Sequence, residues 1–398
     1  MDNLLNGVNM NKLAYSTFPK SEYESRYRKL KDLMQKKGID VMILTDQLNV
    51  TYFTGYPAIR PGEGAAILPM EGEPTIVHSV TETGNVERTA WFDDHRMYMT
   101  ETCPWAGASV STDSIPVIKN RLGELGGRKL KIGVEAGYEG FKQKLSEYNF
   151  LEAQELIWNL RKIKSKAEIE LLRKNCEATC KAEMKSFAEL KQGMTEREFL
   201  KIVLHNFVND GFGFPPAFAL TRTGPLNCRM INSTGSSKPI QRGEIVLLDG
   251  GISFYEYPSD VLRMGIIGEP DTRQKRYVDI EFKAQQAAIN IIKPGIKAKE
   301  IFRAGERVFE AAGLNRGSYL EYAGHGIGLG GYNPPILSSV NEMTIEEGMV
   351  LCVEPQCWDA PYLDNPQIDV VVEDTVVVTK KGFEFLTDPK TRDLYVIK

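Results

Sequence analysis

The sequence predicts an α/β protein in two domains, residues 1–155 and 156–398, the second an α+β unit built from two similar halves. Three observations lead there. A chain of 398 residues with 42% hydrophobic content is long enough to bury more than one core. Its first part alternates helical and strand patterns. Its second part repeats a glycine-led helix and an acid-tipped strand.

In the first domain, Ser21 to Lys37 is charged, with Tyr27, Leu30, Leu33 and Met34 at helical spacing, and Gly38 follows as a stop. Val41 to Leu44, Gly64 to Leu68, Thr75 to Val77 and Lys131 to Val134 are short apolar runs and read as buried strands. The second domain opens on a helical pattern from Ile163 to Leu190, whose wet face carries Glu168, Glu170, Arg173 and Lys174.

The repeat begins at Leu190, with LKQGMTEREFLKIVLHNFVNDGFG, and returns at Ile292 as IKPGIKAKEIFRAGERVFEAAGLN. Gly193, Glu198 and Gly211 match Gly295, Glu300 and Gly313, each 102 residues on. Two strand segments then correspond at an offset of 105: RGEIVLLDGG places Asp249 after Gly243, and EGMVLCVEPQ places Glu354 after Gly348. Agreement of helix and strand offsets favours duplication over chance. Two such halves would bring their acids together across a pseudo-two-fold axis.

Composition narrows the function. The net charge of −4, without a long block of like charge, gives no sign of a nucleic-acid partner. The six cysteines, Cys103, Cys176, Cys180, Cys228, Cys352 and Cys357, lack the spacing of a disulfide framework or a zinc knuckle, so reduced thiols are expected. Cys176 and Cys180, four apart on the long helix, read as packing. The start of the chain has no basic segment followed by an apolar one, and no apolar run nears the roughly 18 residues of a membrane span. A soluble cytoplasmic protein is the expectation.

Asp249, Asp260, His325, Glu354 and Glu373 each lie beside glycine, proline or a short apolar run. Singly, each reads as a turn acid, a cap or a solvated strand end. Together they are one imidazole and four carboxylates on apolar strands, where burial is costly unless the group is paired or metal-bound. That mixture suits a pair of hard or borderline divalent ions about 3.5–4 Å apart. Asp249 and Asp260, in LLDGGISFYEYPSD, are spaced as facing ends of two paired strands, and the glycines of YAGHGIGLGG let the backbone come close around His325.

These motifs, with LNVTYFTGY in the first domain and the linker NLRKIKSKAEIELLRKN, make the chain resemble the creatinase, prolidase and aminopeptidase P family. The resemblance covers nearly the whole chain and implies a creatinase-like amino-terminal domain, in which LNVTYFTGY is a strand and turn, followed by a pita-bread domain. It implies that Asp249 chelates one metal, that Asp260 and Glu373 bridge two, and that His325 and Glu354 hold the other. The ions expected are manganese, cobalt, iron or zinc. Glu354 is then the group that moves a proton to or from the attacking water. A homodimer is also implied, in which Arg60, in YPAIRPGEG, is a candidate for a substrate carboxylate; otherwise it is a surface arginine after a turn.

The departures from the family pattern bear on substrate. Asn232 stands where the peptidases carry histidine in a PHG-like segment. Tyr332-Asn333-Pro334-Pro335 replaces His-Glu-x-Pro, and Val371 replaces an arginine. Asn232 and Tyr332 still offer hydrogen bonds to a substrate carbonyl, although losing one such donor costs about 10²–10³ in rate.

The first reading is therefore a dinuclear metal hydrolase that cleaves a C–N amide bond, of the Xaa-Pro dipeptidase kind. The alternative keeps the fold and acts on a small charged metabolite, as creatinase, ectoine hydrolase and dimethylsulfoniopropionate lyase do. Tyr332 and Trp358 would then flank a cation, or else serve as core packing. A third reading, an inactive binding protein, is opposed by the intact set of five ligands.

Overall fold

The computed structural model describes residues 17–57, 64–99, 114–135, 138–210, 216–224, 235–361 and 367–398. The chain divides into two compact units, Met1–Arg161 and Lys162–Lys398. No helix among the described residues is long and apolar enough to cross a membrane.

The first unit is a six-stranded sheet with helices. Its strands are β1 (Val41–Leu44), β2 (Gly64–Pro69), β3 (Thr75–Ser79), β4 (His95–Tyr98), β5 (Lys131–Val134) and β6 (Asn149–Glu152), in the order β4-β3-β2-β1-β5-β6. Pairs β1–β2 and β2–β3 are antiparallel and the others parallel. The helices are α1 (Lys20–Lys37), α2 (Gln47–Thr54), α3 (Thr83–Thr89), α4 (Ile115–Leu125), α5 (Tyr138–Lys144) and α6 (Gln154–Arg161). Helix α1 buries Tyr23, Tyr27, Leu30 and Met34 and ends on Gly38, which has left-handed backbone with φ of 64°.

The segment expected as a strand and turn, LNVTYFTGY, is a correction. It forms α2 instead. Asp46 caps the helix by accepting the Asn49 N–H at 3.1 Å, and the distant Glu135 carboxylate accepts the N–H groups of Thr45 and Asp46 at 2.5 and 2.7 Å. Gly55 closes it at φ 78°, where a Cβ would lie 2.9 Å from the Thr89 carbonyl oxygen. β-Branched and aromatic residues favour a strand locally, and a carboxylate 86 residues from Asn49 overrides that preference.

The second unit begins with α7 (Lys166–Glu189), started by a capping box in which Ser165 and Glu168 exchange hydrogen bonds. Glu168 is therefore not on the wet face. It is 2% exposed, and its other oxygen accepts the Tyr257 hydroxyl at 2.8 Å. Then come α8 (Glu196–Asp210), β7 (Pro216–Thr223), β8 (Ile245–Phe254), β9 (Tyr257–Pro258), β10 (Val261–Ile267), α9 (Thr272–Asn290) and α10 (Ala298–Ala311). The remaining strands are β11 (Tyr322–Gly326), β12 (Asn333–Ser338), β13 (Val350–Val353), β14 (Gln356–Trp358), β15 (Asp369–Val371), β16 (Asp374–Val378), β17 (Phe383–Phe385) and β18 (Tyr395–Ile397). One sheet runs β18-β10-β8-β7 and the other β12-β11-β13-β16-β17. All pairs in the two sheets are antiparallel except β10 with β18. Helix α8 packs on β7, and α10 on β11 and β12.

The repeat is written into the hydrogen bonds. Gly193 N–H donates to Ile240 and Gly295 N–H to Ile345, both at 2.9 Å. Ile240 returns a bond to Met194, and Ile345 to Ile296, both at 2.8 Å. Glu198 accepts from Thr195 N–H as Glu300 does from Lys297 N–H. Gly243 N–H then reaches Ile267 and Gly348 N–H reaches Val378, each at 2.9 Å. The last correspondence makes Leu262 equivalent to Glu373 and Arg263 to Asp374. These equivalents touch: Leu262 and Glu373 form a β-bridge, and Arg263 pairs with Asp374 at 2.9 Å, both side chains buried. Contacts between equivalent residues mark the pseudo-two-fold axis.

Gly324 is the tightest approach near His325. Its φ is 131°, and a Cβ there would lie 2.0 Å from the Cys352 carbonyl oxygen. Gly324→Ala is expected to cost about 2–4 kcal/mol, from backbone strain together with overpacking. Urea denaturation of the metal-free protein checks this; an unchanged midpoint would refute the close approach of β11 and β13.

Candidate metal centre

Five strands or strand ends deliver the five acid and imidazole side chains. Asp249 is on β8 opposite Leu262 of β10, and Asp260 directly precedes β10. In that register the two aspartates occupy diagonal positions on one face, within reach of each other. The hairpin between them turns at Tyr255 and Glu256, both with positive φ. His325 lies on β11 opposite Cys352 of β13, and Glu354 follows that strand with its N–H bonded to the Ala323 carbonyl at 3.0 Å. Glu373 is held at the axis, where its N–H donates to the Leu262 carbonyl at 3.1 Å and its own carbonyl accepts from Arg263. The first half thus contributes two groups and the second half three.

His325 Nδ1 lies 2.9 Å from the Gly326 carbonyl oxygen, which only accepts, so the proton sits on Nδ1. Nε2 then carries the lone pair in the neutral ring, the arrangement of a metal-binding histidine. It is 3.3 Å from Asp260 Oδ2 and 3.6 Å from Glu354 Oε1, yet buried and not aligned in a hydrogen bond with any described residue. Glu373 Oε1 is buried and unpartnered in the same way. Donor atoms of Asp260, His325, Cys352 and Glu373 all lie within 4.8 Å of one another.

Such crowding shows in the protonation of the groups. Burial, followed by the charges of Asp260 and Glu354, pushes Asp249 well above the usual carboxylate range. Burial and Asp260 do the same to Glu373. Burial raises Glu354 to about 7, against the pull of His325. Burial lowers His325, but the Asp260 and Glu354 carboxylates more than reverse it. A buried set of acids that cannot all ionise, with orphaned imidazole and carboxylate lone pairs, fits divalent cations.

Other predicted residues are placed differently. The Tyr332 ring stacks on His325 with centroids 4.0 Å apart and is 69% exposed. Trp358 is corrected from a substrate contact to packing: it is 4% exposed, and its indole N–H donates to the Gly317 carbonyl at 2.6 Å. Val371 is buried in β15. Arg60 and Asn232 lie outside the described residues. His78 is buried between Ser79 and His95, and His205 bonds Asn209 on α8.

Three residues join the centre that the sequence did not single out. Tyr322 donates its hydroxyl to Glu354 Oε1 at 2.9 Å. Arg222, buried and 3.7 Å from Asp369, opposes the upward shifts of Asp249 and Glu354. Cys352 stands two residues before Glu354, and that period of two is the signal that would have placed it on the same face. Tyr322→Phe is expected to lower kcat about tenfold, since a hydrogen bond to a charged group contributes about 1.5–3 kcal/mol. Steady-state kinetics on metal-loaded protein checks it, and an unchanged kcat would take Tyr322 out of the chemistry.

Residues 170–380 match metallopeptidase family M24, and residues 26–163 match the creatinase/prolidase N-terminal domain. An Xaa-Pro dipeptidase of Pyrococcus furiosus is 28% identical over 92% of this chain and 98% of its own. The Xaa-Pro dipeptidase of Lactobacillus delbrueckii subsp. lactis is 26% identical over 90% and 95%. Among solved structures, dipeptidase PepE from Mycobacterium ulcerans superposes with a TM-score of 0.81 at 25% identity, covering 96% of this chain and 99% of that one. The prolidase from Pyrococcus horikoshii gives 0.77 at 26% identity, covering 92% and 98%.

Proposed function

The chain belongs to metallopeptidase family M24, and from that premise we propose that it is a metal-dependent hydrolase that cleaves the amide bond of Xaa-Pro dipeptides or closely similar small molecules. The observation that carries this is the crowding of Asp260, His325 and Glu373, drawn from both repeated halves, around one buried point, with Glu354 3.6 Å from His325 and Asp249 diagonal to Asp260. Asp249, Asp260, His325, Glu354 and Glu373 would hold two divalent ions. Bound there, manganese, cobalt, iron or zinc would supply Lewis-acid polarisation of the scissile carbonyl and activation of water.

The protein's own groups do the rest. Glu354, which accepts the Tyr322 hydroxyl at 2.9 Å, is placed to take a proton from the attacking water and return it to the leaving nitrogen. Tyr332, stacked over His325, presents an exposed ring and hydroxyl beside the reacting groups. Asn232 is proposed as a further hydrogen-bond donor to the substrate carbonyl, and Arg60 as a contact for its carboxylate. A homodimer in the cytoplasm is the setting we propose.

A second reading has one observation in its favour. The exposed face of Tyr332 offers cation–π contact to a quaternary ammonium or guanidino metabolite. Metal-stripped protein reloaded with each of the four ions should be assayed on Xaa-Pro dipeptides and on betaine-like and guanidino compounds. With Asn232 and Tyr332 at the two histidine positions of similar peptidases, Xaa-Pro cleavage is expected below the usual kcat/KM range of about 10⁴–10⁸ M⁻¹s⁻¹. Asn232→His combined with Tyr332→His should raise it. Efficient dipeptide cleavage by the unmodified protein would place it with the ordinary peptidases, and turnover of a cationic metabolite alone would select the second reading.

A further inference from the structure

We propose that Cys352 is a sixth donor of this centre, its sulfur sharing one ion with Asp260, His325 and Glu373. The inference rests on the reading of the centre as a metal site and adds a thiolate to it. Cys352 is completely buried, and its sulfur belongs to the group of four donor atoms that lie within 4.8 Å of one another. The strand register accounts for this. Cys352 is directly opposite His325 on one side and Thr375 on the other, so the three side chains share a face of the sheet. Glu354, two residues on, emerges from that face as well.

The neighbours leave the sulfur available. The sulfur lies 3.5 Å from Thr375 Oγ1, a weak hydrogen bond, and the carboxylate it approaches is that of Glu373. Two independent orphans point into the same space: His325 Nε2 and Glu373 Oε1, both buried without a hydrogen-bond partner. Two carboxylates, an imidazole and a thiol form a mixed oxygen, nitrogen and sulfur set. Thiolate ligation favours zinc and cobalt, whereas manganese is matched to oxygen donors. On binding, the S–H bond gives its proton to solvent and the sulfur lone pair forms the bond to the ion. The centre would therefore be biased toward thiophilic metals.

Cobalt reads this out directly. The stripped full-length protein is reloaded with Co²⁺, and its absorption spectrum is recorded alongside X-ray absorption at the cobalt edge. The expected result is weak visible d–d bands, an intense near-ultraviolet thiolate-to-cobalt charge-transfer band, and a sulfur shell at about 2.3 Å. Cys352→Ser and Cys352→Ala should keep the d–d bands and lose the charge-transfer band. They should also weaken Zn²⁺ binding about tenfold or more, with Mn²⁺ affinity held within about threefold. Bound Co²⁺ without a charge-transfer band or sulfur shell overturns the role of Cys352 and leaves the five-ligand centre standing, as does a band that persists in Cys352→Ala. Failure to bind Co²⁺ at all overturns the metal centre and this inference with it. The wild-type X-ray measurement decides the matter even if both variants misfold.

Discussion

Asp260→Asn is expected to abolish activity and strip the protein of most of its metal while leaving the fold intact. Asp260 stands at the middle of the cluster: His325 Nε2 is 3.3 Å away, and its charge acts on Asp249, Glu354 and Glu373 alike. The amide that replaces it has no charge, and its NH₂ group cannot ligate. Loss of the several kcal/mol that bound cations provide corresponds to about 10³-fold or more in kcat/KM. Metal content should fall below one ion per chain by elemental analysis, with circular dichroism unchanged. Full occupancy together with near-normal turnover in this variant would remove Asp260 from the centre.

Chelation should destabilise the protein, and more so at pH 8 than at pH 5. In the metal-free chain Glu354 is raised to about 7, and Asp249 and Glu373 stand well above their ordinary values. Between the ordinary carboxylate range and those raised values the folded chain holds protons that the unfolded chain has lost. Its stability therefore falls as pH rises through that window, by up to about 1.4 kcal/mol per pH unit for each such group. The raised His325 acts with the same sign, its contribution present below the unfolded value and lost as pH rises. Bound cations replace those protons and reverse the trend. An ion present at about 100 times its Kd adds about 2.7 kcal/mol, or about 5–10 °C in Tm. Scanning calorimetry with and without chelator, at both pH values, measures it. A metal-free form more stable at pH 8 than at pH 5 would contradict the crowding of acids.

Much of this was legible because the chain states it locally. Gly193 and Gly295 advertise left-handed turns, and the offsets of 102 and 105 reappear as paired hydrogen bonds. Asp249 and Asp260 could be read as facing strand ends because an antiparallel hairpin fixes its own register. What escaped depends on distant partners. Helix α2 needs Glu135 to hold its start, and Glu168 is drawn inside by Tyr257. The roles of Tyr322 and Arg222 exist only once Glu354 and Asp369 are brought to them. Trp358, read from the sequence as either a substrate contact or packing, is packing, paired with Asp369 across β14 and β15 and bonded to the Gly317 carbonyl. The two buried glutamates Glu183 and Glu281 fit the helical period only as charges where apolar residues belong.

The division of the candidate ligands between the halves, two from the first and three from the second, bears on how the protein would acquire metal. Neither half alone can form the donor set, and Glu373 is seated by a bridge to Leu262 that exists only after the halves have joined. A chain still being synthesised would lack the complete set. The choice of ion would then fall to the joined halves, at whatever free concentrations surround them.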